Sequence, residues 1–195
     1  MPPIFSLDKR EEIQIKLLES GISLIREKGI KRMTVDDVTE SVGIGKGTFY
    51  HFFQSKEWYV YEVIRFSKEN LLSTVNKLVT EKGGIDRESL ISLFQTFSFT
   101  GPNNIISFMT AEDETWLAKK LPPKYVLDFP KEDKIIALLL DHLIGARENI
   151  NTHVLANLMK IMALAVENKR CLHQDALNEN LSLMQKQLCD LVFND

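Results

Sequence analysis

Cysteine is scarce in this 195-residue chain, which holds only Cys171 and Cys189, with no CxxC spacing and no histidine pair nearby. That excludes a disulfide-framed scaffold and offers no zinc or redox motif, so both thiols are expected to be reduced and structural and no metal or cofactor is expected. Long apolar runs are missing too. The longest, Ile135 to Leu140, falls far short of the roughly 20 residues a spanning helix needs. The opening Met-Pro-Pro-Ile-Phe-Ser-Leu-Asp has neither a basic n-region nor an apolar h-region, so the expected location is cytoplasmic, away from membranes. No HExxH or GxSxG occurs, and four scattered histidines make no catalytic centre. The run Gly43-Ile44-Gly45-Lys46-Gly47-Thr48 fails as a phosphate loop. A Walker motif needs Gly at the position of Glu40 and Ser or Thr at Gly47, and GxGxxG fails at Thr48. An enzyme is not expected.

Charge of one sign is also weak: 24 Lys/Arg against 27 Asp/Glu give −3 overall. Residues 1–56 hold nine basic and eight acidic groups (+1), and residues 57–195 hold fifteen and nineteen (−4). Such a balance does not describe a general polyanion binder. Binding to DNA would rest on where basic groups cluster, because phosphate contacts act locally through counterion release.

What is present is helical periodicity almost throughout, with no sustained strand-like alternation, so the expected fold class is all-α with about nine helices. A first helix fits residues 8–28, with Ile15, Leu18, Ile22 and Ile25 spaced by three and four, closed by Lys28-Gly29 as a basic last turn and C-cap. Thr34 and Asp37 form a capping-box pattern before a short helix carrying Val35, Val38 and Val42, which Gly43 stops. After a tight turn, residues 46–53 make a second short helix, stable only when packed on its neighbours. Ser55 then caps a long helix running to about Thr80. Further helices are expected near 86–99, 103–120, 131–147, 153–168 and 175–192, punctuated by Gly101-Pro102, Pro122-Pro123, Pro130 and Asn149 to Thr152.

Two short helices around a Gly turn make a helix-turn-helix candidate. Its second helix should lie in the major groove, one face anchored and the other free. Phe49, Phe52 and Phe53 are placed to pack inward, and Lys46, Thr48 and His51 to point toward bases or phosphates. Gly47 leaves room for close approach and Tyr50 offers a hydroxyl. Thr34 and Lys56, at the starts of the flanking helices, bring side-chain and backbone donors to phosphates. Toward the C-terminus, Leu177, Leu181, Met184, Leu188 and Leu191 repeat as a heptad seam, with a matching face in Val154, Leu158, Ile161 and Ala165. By itself this seam fits burial within the chain as well as burial against a second copy.

The stretch Thr34-Val35-Asp36-Asp37-Val38, continued by Val42-Gly43-Ile44-Gly45-Lys46-Gly47-Thr48-Phe49-Tyr50-His51-Phe52-Phe53-Gln54-Ser55-Lys56-Glu57, closely resembles the signature of TetR/AcrR transcription regulators. The resemblance implies a three-helix DNA-binding domain over residues 1–56 and a ligand-binding and dimerisation domain over residues 57–195. It carries DNA contacts to Thr34, Lys46, Thr48, Tyr50, His51 and Lys56, with Gly47 kept for its closeness to the duplex. It also implies a homodimer on a near-palindromic operator, released by a small-molecule effector, and it tips the C-terminal seam (Val154, Leu158, Ile161, Leu177, Leu181, Met184, Leu188, Leu191) toward dimerisation. Gly45 stands where the family usually has Ser or Thr, which removes a side-chain cap. Trp58 and Tyr59 are bulkier than usual and are expected to bridge the two domains.

Effector-pocket candidates are Tyr61, Phe66, Phe94, Phe97, Phe108, Met109, Trp116 and His142, with Tyr125 a further aromatic. Their composition suits an apolar or aromatic molecule, although each also fits ordinary core packing. A second reading keeps the fold but drops the effector: a TetR-like structural or cell-division-linked DNA-binding protein.

Overall fold

A computed structural model describes residues 7–97, 111–122, 137 and 139–193. Phe108, Met109, Tyr125, the side chain of Phe97 and most of the helix expected at 131–147 lie outside the described residues. Among those described there are eight α-helices, a single 3-10 turn at Lys169–Cys171 and no β-strand. The helices are α1 (Leu7–Lys28), α2 (Val35–Val42), α3 (Lys46–Phe52), α4 (Lys56–Lys82), α5 (Arg87–Phe97), α6 (Ala111–Lys120), α7 (Thr152–Glu167) and α8 (Gln174–Val192). None of these is long and apolar enough to cross a membrane.

The chain divides into two units. The first holds α1 to α3, α4 as far as Lys68, and α6. Its buried residues include Leu17, Leu18, Ile22 and Ile25 of α1, Val38 of α2, Phe49 and Phe53, and Tyr59 and Val63 of α4. The apolar stripe of α1 is thus rotated slightly from the simple spacing: Leu17 and Leu24 are buried and Ile15 is exposed. Tyr59 lies wholly inside this unit, its ring 5.3 Å from Phe49 and 4.9 Å from Phe53. Its hydroxyl donates to the Leu17 carbonyl at 2.6 Å, and burial pushes its pKa well above the ordinary phenol value. Gly21 is the point of closest approach, because a Cβ there would meet the Tyr59 hydroxyl and Val63 Cγ2, each at 2.5 Å.

The second unit packs α5 and α7 on α8 around Leu90, Phe94, Leu155, Met162, Leu181 and Leu188, among others. Asp86 starts α5 by accepting from the Ser89 backbone N–H at 2.8 Å, and Asn151 starts α7 by accepting from Val154 N–H at 3.3 Å. Cys189 belongs to this core, and burial raises its thiol pKa to about 11. Cys171 is exposed.

The helix expected to run through 147 does not do so. The chain turns at Asp141 and His142, and its backbone then pairs with two distant segments. Ile85 N–H donates to His142 O at 2.7 Å and Ile144 N–H to Ile85 O at 3.0 Å, while Arg147 N–H donates to Val192 O at 2.9 Å. Gly145 at φ 73° makes the bend. Local apolar spacing favoured continuing the helix, but these long-range backbone bonds satisfy the same donors and acceptors in an extended path. They tie the segment between the entry to α5 and the end of α8.

Candidate nucleic-acid interface

Within the first unit α2 and α3 follow one another across a tight turn. Thr34 is the N-cap of α2: Asp37 N–H donates to Thr34 Oγ1 at 3.2 Å and Thr34 N–H donates to Asp37 Oδ2 at 2.8 Å, the reciprocal capping box. Lys28 reaches the same carboxylate at 2.8 Å. That ammonium, with the two Thr34 hydrogen bonds, holds the Asp37 pKa down at about 2. Gly43 closes α2 at φ 71°, and Ile44 N–H returns to Thr39 O at 3.0 Å. The left-handed conformation is what frees the chain to turn sharply into α3.

Helix α3 begins at Gly45, which offers no side-chain cap, in keeping with the missing Ser or Thr. With seven residues and no such cap, it is held by its packing. Phe49 is buried, lying 5.5 Å from the Phe53 ring, and Phe53 N–H closes the helix on Phe49 O at 3.0 Å. Phe52 is only half-buried, with the Arg10 guanidinium 5.5 Å from its ring centroid. Elsewhere on α3, Lys46, Gly47, Tyr50 and His51 are exposed and Thr48 is half-buried. Tyr50 keeps 54% of its surface open, and its ring meets Phe49 edge-on at 5.3 Å.

Lys46 is paired across the motif. Its ammonium lies 2.7 Å from the Asp36 carboxylate on α2, and that bond raises its pKa. Lys56, at the start of α4, donates to Lys31 O at 3.0 Å and lies 5.5 Å from the Trp116 ring centroid. Partial burial lowers its pKa. Lys31 itself meets Glu112 at 3.3 Å and Asp113 at 3.8 Å, so the acidic start of α6 rests against the basic edge of the motif. Sequence spacing did not identify Asp36, Lys31 or the acidic turn of α6 as part of this surface. Their partners lie 10 to 82 residues away, so no helical period could connect them.

The effector candidates are spread over both units. Tyr61, Phe66 and Trp116 belong to the first, where Tyr61 stacks on Trp58 at 5.5 Å. Phe94 and His142 belong to the second. There a cleft of about 190 Å³ runs between α4 and α5, lined by the hydroxyls of Thr74, Ser89, Ser92 and Thr96, with Lys82 bonded to Ser89 at 3.2 Å. A smaller apolar void of about 20 Å³ includes Phe94, Leu140 and Met159. Of the C-terminal seam, Leu177, Leu181 and Leu188 are buried in the core of their own unit, and Leu158 and Met184 pack against it. Val154, Ile161 and Leu191 are exposed, and so are Leu164 and Leu183.

Residues 17–58 match the family model described as bacterial regulatory proteins, tetR family. The chain is 29% identical over 98 residues to the HTH-type transcriptional repressor KstR2 of Rhodococcus jostii, a match spanning 50% of this chain and 47% of that repressor. It is 42% identical over 50 residues to KstR2 of Mycolicibacterium smegmatis, covering 26% of this chain and 24% of that one. The chain thus spans about half, or less, of the length of these relatives. Among solved structures it is similar in fold to reduced E. coli NemR, with a TM-score of 0.57 at 17% identity over 94% of this chain and 98% of that one. The capped α2, the Gly43 turn and the anchored α3 all fall within residues 17–58, the segment that matches the tetR family of bacterial regulatory proteins.

Proposed function

We propose that the protein is a sequence-specific DNA-binding repressor that acts as a homodimer on a near-palindromic operator and is released by a small-molecule effector. Residues 1–56 serve as the DNA-binding domain and residues 57–195 as the effector-binding and dimerisation domain. The observation that carries this reading is the contrast along α3, with Phe49 buried while Lys46, Gly47, Tyr50 and His51 stand exposed. A helix anchored in this way enters a major groove without rearranging its own packing. Thr34 and Thr48 supply hydroxyls beside it, and Lys56 supplies a cation on the flank. The repressor sign rests on the KstR2 relatives, each described as a repressor.

The dimer surface is formed by the residues α7 and α8 leave open. Val154, Ile161 and Leu164 lie within an arc of about 80° on α7, and Leu183 and Leu191 lie two turns apart on α8. Leu177, Leu181 and Leu188 of α8 build the floor beneath that surface. The effector acts by linkage: it binds the DNA-incompetent arrangement more tightly and weakens operator affinity by the same factor.

The test is a gel shift at fixed salt with DNA from upstream of the protein's own coding region, run beside Lys46→Ala and Tyr50→Ala. Specific binding by the wild type, lost in both variants, supports the reading. Equal affinity for that fragment and for random duplex overturns the local-operator assignment. Binding at many unrelated sites with no ligand-dependent release would identify the protein as an effector-free structural DNA binder.

A further inference from the structure

The exposed face of α3 carries one lysine, Lys46, and that lysine is held by a carboxylate, Asp36, 2.7 Å away on α2. On a surface that meets a polyanion, a carboxylate opposes binding, so its presence there requires a reason. The capping box does not supply one, because Asp37 fills that role through both hydrogen bonds and the Lys28 pair; the first turn of α2 favours a carboxylate at Asp36 as well, but that preference does not call for a lysine opposite it. Nor does folding stability, since both partners of the Asp36–Lys46 pair keep more than half their surface open (59% and 57%) and such a pair adds little to the stability of the fold.

What the pair does supply is direction. A lysine that binds phosphate acts as a point charge on a flexible stem and needs no fixed orientation. One that reads a guanine edge must place its ammonium between O6 and N7. We propose that Asp36 is a specificity-determining positioning residue: it holds Lys46 in a fixed direction across the α2–α3 angle as a base-reading donor and weakens its binding to phosphates of any sequence. This rests on the DNA-binding reading above. The two halves divide the work: the fixed donor rewards the right base pair, and the added negative charge lowers phosphate binding to every duplex alike, so the base contact makes up a larger share of what binding remains.

The experiment uses the full chain and two duplexes: the tightest selected by the wild type from a randomised pool, and a random control. Asp36→Asn is expected to lower the preference for the selected duplex by about 5- to 150-fold, the range of one specific base contact. Affinity for the control should hold or rise, and Asp36→Glu should restore much of the preference. Lys46→Ala should lose the same preference, and Asp36→Asn should add little on top of it. Equal strengthening of both duplexes by Asp36→Asn would overturn the proposal, as would a preference lost on changing Asp36 but kept in Lys46→Ala. A wild type that selects no sequence sinks the DNA-binding reading itself. A second measurement needs no DNA: after reductive methylation with ¹³C-formaldehyde, the Lys46 resonance should titrate at lower pH in Asp36→Asn than in the wild type. An unchanged titration would mean that the pair does not exist in solution.

Discussion

Gly21→Ala is the sharpest test of how the first unit is held together, because two well-known effects oppose each other there. In the middle of α1, replacing Gly by Ala favours the helix by about 1 kcal/mol. Against this, the new Cβ would sit 2.5 Å from the Tyr59 hydroxyl, 2.5 Å from Val63 Cγ2 and 2.9 Å from Tyr59 Cζ, whereas carbon atoms pack best near 3.5–4.0 Å. The Tyr59 ring must therefore retreat by about 1 Å, yet it is fully buried between Phe49 and Phe53. Overpacking of this kind costs about 1–3 kcal/mol. Moving the ring also strips its hydroxyl from Leu17 O, which adds about 1–3 kcal/mol for a buried donor left unpaired.

The net expectation is destabilisation of about 1–5 kcal/mol, centred near 3. Both tryptophans, Trp58 and Trp116, lie in this unit, so urea denaturation followed by their fluorescence reports its unfolding directly. Tyr59→Phe alone should cost about 1 kcal/mol for the lost hydrogen bond. Because it also removes one of the two closest clashes, the double variant should be less destabilised than the sum of the singles by at least about 1 kcal/mol. A Gly21→Ala protein that is more stable than wild type, with an additive double variant, would refute the close packing of α1 on α4.

Three further outcomes are expected. Gly43→Ala should destabilise by about 1–2 kcal/mol in the same assay, since φ is 71° while the added Cβ would meet nothing within 4 Å; Gly43→Asn should recover part of the loss. The Asp37 capping box should be pH-dependent. Its folded pKa of about 2 lies below the ordinary 3.8, so its contribution is fully present above 3.8 and fades as pH falls toward 2. The stability gap between the wild type and Asp37→Asn, measured by denaturation across that window, should narrow accordingly. Finally, Ile161→Glu combined with Leu183→Glu places charges at two exposed apolar positions and should convert the proposed dimer to a monomer by light scattering with helicity unchanged. A persisting dimer would move the interface elsewhere.

The residue pattern alone determined whatever depends on neighbours within a turn or two. The all-α class, the Thr34–Asp37 box, the Gly29 and Gly43 stops at positive φ, the bare start of α3 at Gly45 and the Ser55 cap of α4, where Trp58 N–H donates to Ser55 Oγ at 3.1 Å, all follow from short-range backbone and capping chemistry. The contrast between an inward-packed Phe49 and an outward Lys46 and His51 on α3 was legible from residue type, since the aromatic is apolar and the others are polar.

Tertiary packing decided the rest, because the partners are far apart in the chain and no period links them. It turned 142–147 away from the expected helix and tied it to Ile85 and Val192. It joined Arg87 to Asp190 and Lys31 to the start of α6. It split the C-terminal apolar residues between a buried floor and an open face: a heptad spacing marks one side of a helix as apolar but cannot say whether its own chain covers it. It also set Asp36 against Lys46. Which carboxylate meets which ammonium on a surface depends on the angle between two helices, and only the packed core fixes that angle.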